Sequence, residues 1–401
     1  MKFPDNKLLK ISMYLFTMVG VWPIIHWDSL KSKRIYEIGS AILYYYYLEY
    51  IFRAYFKLYL LLTTDTLYIE EILGNLCITL IYTVSLFRLK AFNTEAIRTL
   101  FTNIIDEEKL ILNNSDPEIR RMYMSSVKDT VNYNILFLFN GWVVSFLYFI
   151  HPFFMELPTQ IVNNETVTLR TLPLSTWWPI DIQEHYWLAY CWNVFDGTLG
   201  SSYVINSDIL TFSLIVFALS QVKILGYKLR QFPTYRETGN KEEDNKNIQL
   251  EFVTLVKEHK KVISYIDTFN EGMKYVMLFD FLQCSVQLAT ITLQLLVMEI
   301  NVQNVIFVGE FLLTMLIRLV IYYFNANEVM YQSQHLALDI WNSCWFEQNE
   351  KLKRMMLIFI VRSQKPLRFL IGPFGVMSLE TFISILKATY SYIMIFINTN
   401  T

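Results

Sequence analysis

The sequence predicts an all-α membrane protein with seven transmembrane helices, a cytoplasmic N-terminus, an extracellular C-terminus and cytoplasmic helical extensions that form an anchor bundle. Three observations predict it. Hydrophobic residues make up 54 % of the 401 residues and charged ones only 17 %, against roughly 25 % in soluble domains. Seven apolar stretches approach the roughly 20 residues that a bilayer-crossing helix needs; they fall at 35–58, 71–87, 131–150, 187–221, 276–298, 303–324 and 376–397. The loops between them divide 29 Lys and Arg on one side against the single Arg170 on the other. Positive charge stays in the cytoplasm, so the segment 1–34 lies inside and the C-terminus outside.

The elements follow in order. In 1–34, lysines precede the apolar run Ile11–Trp27, but Trp22, Pro23 and Trp27 interrupt it and no small-residue cleavage pattern follows. It reads as a retained interfacial or re-entrant segment rather than a signal peptide. Residues 35–221 hold the first four spans. The fourth is longer than a bilayer requires and should continue as a helix into water through Arg230. Residues 222–275 form a cytoplasmic unit: a polar loop over 231–250, then an apolar stripe of Phe252, Leu255, His259, Val262, Ile266 and Phe269 at helical spacing. That stripe runs directly into the fifth span, and an extended helix packed on the long fourth one is preferred over a helix lying on the membrane. Spans five and six fill 276–324. Residues 325–375 form a cytoplasmic anchor segment. Pro366, Gly372, Pro373 and Gly375 break it before the last span and the short tail, 376–401.

Several function classes are excluded. Net charge is −2 and no Gly-rich phosphate loop is present, so neither nucleic acid nor a nucleotide is an expected partner. Cys77, Cys191, Cys284 and Cys344 form no CxxC pair and have no His at ligand spacing; free thiols, no metal and no cofactor are expected. The five histidines converge with no acid on a catalytic cluster, which argues against an enzyme. The inside N-terminus, with no Asp-Arg-Tyr after the third span and no Asn-Pro-x-x-Tyr in the seventh, disfavours a metabotropic seven-helix receptor. Two glycosylation sequons oppose each other: Asn164 lies in a loop assigned outside, Asn113 in one assigned inside, and the charge asymmetry outweighs both.

Charges inside a membrane are costly and usually paired. Asp208, Asp280 and Arg318 fall at similar depth on spans four, five and six, so Arg318 should pair with one of the acids. Glu49 and Arg53, four residues apart, should pair along the first span. The last span carries a stripe of small and polar groups at alternating three- and four-residue spacing: Thr381, Ser384, Ala388, Ser391, Ile395 and Asn398. Such a stripe serves close helix packing or a pore wall. One helix per chain cannot enclose a pore, so a pore requires a symmetric oligomer.

The C-terminal quarter resembles the insect odorant receptor family. The resemblance rests on Trp341 and Trp345, the run Arg362-Ser363-Gln364-Lys365-Pro366, Pro373-Phe374, Ser378-Leu379-Glu380-Thr381-Phe382, and Ile385 through Tyr392. The hymenopteran branch is nearest in appearance. The resemblance implies a subunit of a tetrameric, odorant-gated, non-selective cation channel in the plasma membrane of olfactory sensory dendrites. It implies a ligand-tuning chain that assembles with the shared co-receptor, Orco, because the co-receptor's long insertion between spans four and five is missing. Its pore gate maps onto Ile395 and Asn398, with Ser391 on the same stripe; Thr399 stands where the co-receptor has a further hydrophobic residue. Its odorant pocket, in the outer half of the membrane, maps by depth onto Leu76, Trp142, Ser145, Phe146, Phe149, Leu199, Tyr203 and Phe307. A gustatory-type channel of the same superfamily is the alternative. Thr389-Tyr390 fits it, but the Gln-Phe that should follow is missing.

Overall fold

The computed structural model describes residues 6–21, 29–64, 69–154, 159–162, 165–233, 241–297 and 302–400. Among them run α1 (Lys10–Met18), α2 (Leu30–Thr63), α3 (Ile69–Phe92), α4 (Glu95–Leu112), α5 (Pro117–Ile150), α6 (Tyr186–Arg230), α7 (Lys241–Val297), α8 (Val302–Trp341), α9 (Glu350–Ser363) and α10 (Leu379–Asn400). Two short antiparallel hairpins complete the set: β1 (Thr159–Val162) with β2 (Glu165–Thr168), and β3 (Leu370–Ile371) with β4 (Gly375–Val376). The architecture is all-α. Five of the described helices, α3 and α5 to α8, are long and apolar enough to cross a membrane. The 34 residues of α2 include seven charged ones.

The bundle is built around α6. Of its most apolar window 89 % is buried, against 33–44 % for the other four helices, so α6 is surrounded by protein while its neighbours each keep an outward face. Small residues permit this. A Cβ on Gly200 would lie 2.0 Å from the Tyr82 ring of α3, and one on Gly141 of α5 would lie 2.7 Å from Ile205 of α6. Close approach of this kind supplies the packing attraction that holds helices together in lipid.

The three longest helices, α6, α7 and α8, each run well past membrane length as one continuous rod. α6 extends through Arg230. α7 spans 57 residues and starts at Lys241, ahead of the apolar stripe that begins at Phe252. Residues 241–250, read as loop from their polarity, are helical because Glu242, Glu243 and Asp244 occupy the first turn, where negative charge complements the exposed N–H groups. α8 continues 17 residues beyond the predicted span end at 324, to Trp341. The extensions of α6, α7 and α8 gather with α4 and α9. Lys228 of α6 reaches Glu258 of α7 at 2.6 Å, and the Tyr265 hydroxyl donates to the Leu214 carbonyl at 2.9 Å. Phe252 packs on Phe232 (5.4 Å) and Phe359 (5.9 Å), and Phe269 on Phe369 (4.8 Å). Gly372, at φ +60°, turns the β3–β4 hairpin that leads into α10, a conformation glycine adopts without penalty.

The N-terminal segment docks against this frame. Leu8, Leu9, Met13 and Phe16 are buried. Glu108 of α4 accepts the backbone N–H groups of Lys7 and Leu8 and the Tyr123 hydroxyl. Residues 22–28, the second half of the apolar run, lie outside the described residues.

His259 of α7 is buried in the extension, its ring 4.6 Å from that of Phe359. Burial, with Arg362 nearby, lowers its pKa from 6.5 to about 4. Between those values the unfolded chain binds the proton and the folded one does not, so stability is full above about pH 6.5 and falls as pH drops toward 4. Thermal unfolding of the purified protein should show a loss on the order of 2 kcal/mol across that window, and His259→Phe should remove most of the slope.

Candidate functional site

A cavity lies between four helices of the bundle. Ile78, Ile81 and Tyr82 come from α3, Gly141, Val144, Ser145, Tyr148 and Phe149 from α5, Ser201, Val204, Ile205 and Asp208 from α6, and Phe311, Thr314, Met315 and Arg318 from α8; Leu174, in the chain before α6, and Phe137 complete it. About 70 Å³ is open to the centre of a water-sized sphere, room for a small organic molecule. The wall is aromatic and aliphatic with a few polar groups, the composition of a small-molecule pocket.

Helical geometry decides which side chains reach it. On α5, residues 137, 141, 144, 145, 148 and 149 recur at three- and four-residue steps and face the cavity. Ile135, Leu138, Phe139, Trp142, Val143 and Phe146 occupy the opposite side and line an open outer groove. On α6 the stripe Ser201, Val204, Asp208 repeats the same spacing, and on α8 Phe311, Thr314 and Arg318 do so.

One side of the cavity is hydroxyl-rich and self-satisfied. Ser145 Oγ donates to the Gly141 carbonyl at 2.8 Å and accepts from the Ser201 hydroxyl at the same distance. The Tyr82 hydroxyl donates to the Gly197 carbonyl at 3.2 Å. The floor is a knot of four charges from four helices. Arg88 of α3 bonds both Asp208 of α6 and Asp280 of α7. Arg318 of α8 donates from Nε to Asp208 Oδ1 at 2.9 Å and bonds Asp280 as well. The Tyr322 hydroxyl donates to Asp208 Oδ1 at 2.7 Å. All four charged residues are buried, two positive and two negative, so the cluster is neutral as a whole. Arg318 pairs with both acids, not one. Arg88, counted by sequence as the first residue of a cytoplasmic loop, lies inside the bundle because α3 continues to Phe92. Removing it from the loop count leaves the charge asymmetry intact.

A second network joins α2 to α6. Arg53 Nε lies 2.6 Å from Glu49, as the spacing predicts, and Nη2 lies 2.9 Å from the buried Asp196. The guanidinium also sits 4.9 Å over the ring of Trp178, which ties the segment before α6 to the helices.

The residues proposed from sequence for the pocket separate into groups. Ser145 and Phe149 line the cavity. Trp142 and Phe146, on the outward side of α5, line the open groove. Tyr203 is fully buried against Tyr47, its hydroxyl donating to the Val19 carbonyl at 3.3 Å. Leu199 is buried beside the cavity and Leu76 half-buried on α3, neither among the lining residues. Phe307 stacks on His151 at 4.1 Å and packs on Tyr148 at 4.6 Å, one layer out from the wall. Sequence reasoning missed Tyr82, Ser201, Thr314 and the role of Asp208 and Arg318 as floor; the Ser201–Val204–Asp208 and Phe311–Thr314–Arg318 spacings were the signal for them. On α10, Ser391 and Ser384 are exposed, while Ile385 and Thr389 form the buried face. The side chains of Ile395, Asn398 and Thr399, and residue Asn164, lie outside the described residues. Cys77 and Cys284 are buried free thiols, and Cys191 and Cys344 exposed ones.

Removing one member of a buried charge cluster leaves an uncompensated charge, at a cost of about 3–5 kcal/mol. Arg318→Met should therefore abolish folded, surface-expressed protein, and Arg318→Met with Asp280→Asn should recover part of it. Immunodetection of the surface fraction checks both; an unchanged surface fraction in Arg318→Met would exclude a structural role.

The profile of a family described as 7tm Odorant receptor matches residues 68–390. The chain is 32 % identical over 180 residues to odorant receptor 10 of Aedes albopictus, covering 45 % of this chain and 47 % of that protein. It is 28 % identical over 181 residues to odorant receptor Or2 of Anopheles gambiae, with 44 % and 47 % covered. It thus spans about half the length of the curated relatives it matches. In shape it is similar to the insect olfactory receptor OR5 from Machilis hrabei, with TM-score 0.76, 17 % identity and 97 % of both chains covered. The structure of that receptor in complex with eugenol gives 0.75, 16 % and 98 %. At this identity the likeness is one of fold.

Proposed function

Since the chain belongs to the 7tm odorant receptor family, we propose that it is the ligand-tuning subunit of an odorant-gated, non-selective cation channel, and that the cavity above the four-charge knot holds the odorant. The observation that carries this reading is the cavity itself: apolar, and floored by Asp208 and Arg318 of the four-helix charge knot. A molecule bound there touches α3, α5, α6 and α8 at once. It can shift the balance between closed and open arrangements by the difference in its affinity for them.

In this reading seven helices span the plasma membrane of the olfactory dendrite. α2 and α10 join the five apolar helices, the N-terminus lies inside, and the extensions of α6 to α8 with α4 and α9 form the cytoplasmic anchor. The exposed apolar side chains Trp341, Leu357, Ile358 and Val361 on that anchor support its role as the surface that meets other subunits, Orco among them, in a tetramer. The exposure of Ser384 and Ser391 on α10, with Ile385 and Thr389 facing the bundle, supports a pore lined by the small and polar stripe, gated near Ile395 and Asn398, with Thr399 following. Asn164 is then an extracellular glycosylation site.

Whole-cell recording in cells expressing the chain with and without the co-receptor tests the reading, with G-protein signalling blocked. A fast odorant-evoked cation current that needs the co-receptor is expected, and Ile395→Ala should raise the basal leak. A response that disappears when G proteins are blocked would return the metabotropic alternative.

A further inference from the structure

Three polar groups of the cavity wall, Ser145, Ser201 and Tyr82, are paired within the protein. At the floor, two cavity-lining residues on facing helices each keep a polar atom without a partner among the described residues. Asp208 on α6 is fully buried, and its three donors, Arg88, Arg318 and Tyr322, all converge on Oδ1. Its Oδ2 is buried with no partner among the described residues. Thr314 on α8 is 8 % exposed, and its hydroxyl also has none. A threonine inside a helix normally returns its hydroxyl to the carbonyl four residues back, as Thr79 fails to do but Thr83, Thr130 and Thr292 do. Both residues line the cavity, and Arg318, one turn along from Thr314, joins them. Buried polar groups left without partners are rare and mark a place that something else completes.

We propose that the site selects a small apolar molecule bearing one hydroxyl group, which enters with that hydroxyl toward the floor, donates to Asp208 Oδ2 and accepts from the Thr314 hydroxyl. A hydroxyl satisfies both orphans, because it is donor and acceptor in one atom. An ether of the same skeleton accepts from Thr314 and leaves Asp208 unserved; a hydrocarbon serves neither. Hydrogen bonds to an ionised group are the stronger kind, so most of the selectivity comes from Asp208. The rest of the cavity, being aromatic and aliphatic, sets size and shape. The hydroxyl also reaches the only charged cluster that joins α3, α6, α7 and α8 among the described residues, so the group that confers selectivity acts on the contact that fixes the relative positions of those helices.

The inference rests on the cavity being the ligand site and is independent of whether the chain conducts. The test is direct binding to the full-length chain in lipid nanodiscs, read as the rise in unfolding temperature with ligand concentration. The probes are para-cresol, para-methylanisole and para-xylene, alike in skeleton and different in the one group. The expected apparent affinity of para-cresol exceeds that of para-xylene by about tenfold to a hundredfold, with para-methylanisole between them. In Thr314→Val the cresol-to-xylene and anisole-to-xylene ratios should both shrink by about threefold to tenfold, while the cresol-to-anisole ratio, set by Asp208, should hold. Equal binding of the three, preference for the hydrocarbon, no binding of para-cresol, or a cresol-to-xylene ratio untouched by Thr314→Val would each overturn the proposal. Binding with the expected preference but no evoked current would leave it standing and count against the channel reading instead.

Discussion

Asp208 and Asp280, held between Arg88 and Arg318, are the contact on which the rest of the bundle depends. Each charge comes from a different helix, and each alone would be expensive in a membrane. Together they cancel, and they do so only when α3, α6, α7 and α8 stand in one arrangement. Apolar packing holds these helices close, but lipid competes with it on equal terms. The charge knot supplies what packing does not: register. Slide any of the four helices by a turn and a charge is left without a counter-ion.

The position of the knot gives it a second consequence. It is the floor of the cavity and lies where the apolar bundle passes into the rods that extend beyond it. Above it, glycines at 141 and 200 bring α5 and α3 onto α6 and leave the space that the wall residues enclose. Below it, the aromatic contacts of Phe252 and His259 with Phe359 bind the extension of α7 to α9. A ligand at the floor is therefore in touch with the interaction that sets helix positions in both halves, with no separate relay required.

Much of this was legible in the sequence, and the parts that were not share a cause. The five apolar helices α3 and α5 to α8, the rods running out of α6 and α7, and the pairing of Arg318 with acids followed from hydropathy, periodicity and the cost of buried charge. Arg88 was missed because it stands one residue past the predicted span end at 87, where hydropathy hands it to a basic loop; only the path of α3 to Phe92 puts it inside. Asp196 was missed because Glu49 already gave Arg53 a partner at helical spacing. The pocket residues expose the limit most clearly. α5 is apolar on both sides, so depth singled out Trp142, Ser145, Phe146 and Phe149 together, and composition has no means of telling a lipid-facing side from a cavity-facing one. Tertiary packing makes that choice: Gly141 faces α6 and fixes the rotation of the helix, which turns Ser145 and Phe149 inward and Trp142 and Phe146 outward.

Neighbouring valines on α5 offer the most direct discrimination, because Val144 lines the cavity and Val143 the outer groove. With the exposed Cys191 and Cys344 replaced by serine, Val144→Cys and Val143→Cys would each be exposed to a small membrane-permeant thiol reagent, with and without an activating odorant. An odorant seated above the charge knot slows modification at position 144 and leaves 143 unchanged. Protection at 143 with none at 144 would place the ligand in the outer groove and contradict the assignment of the cavity as the site.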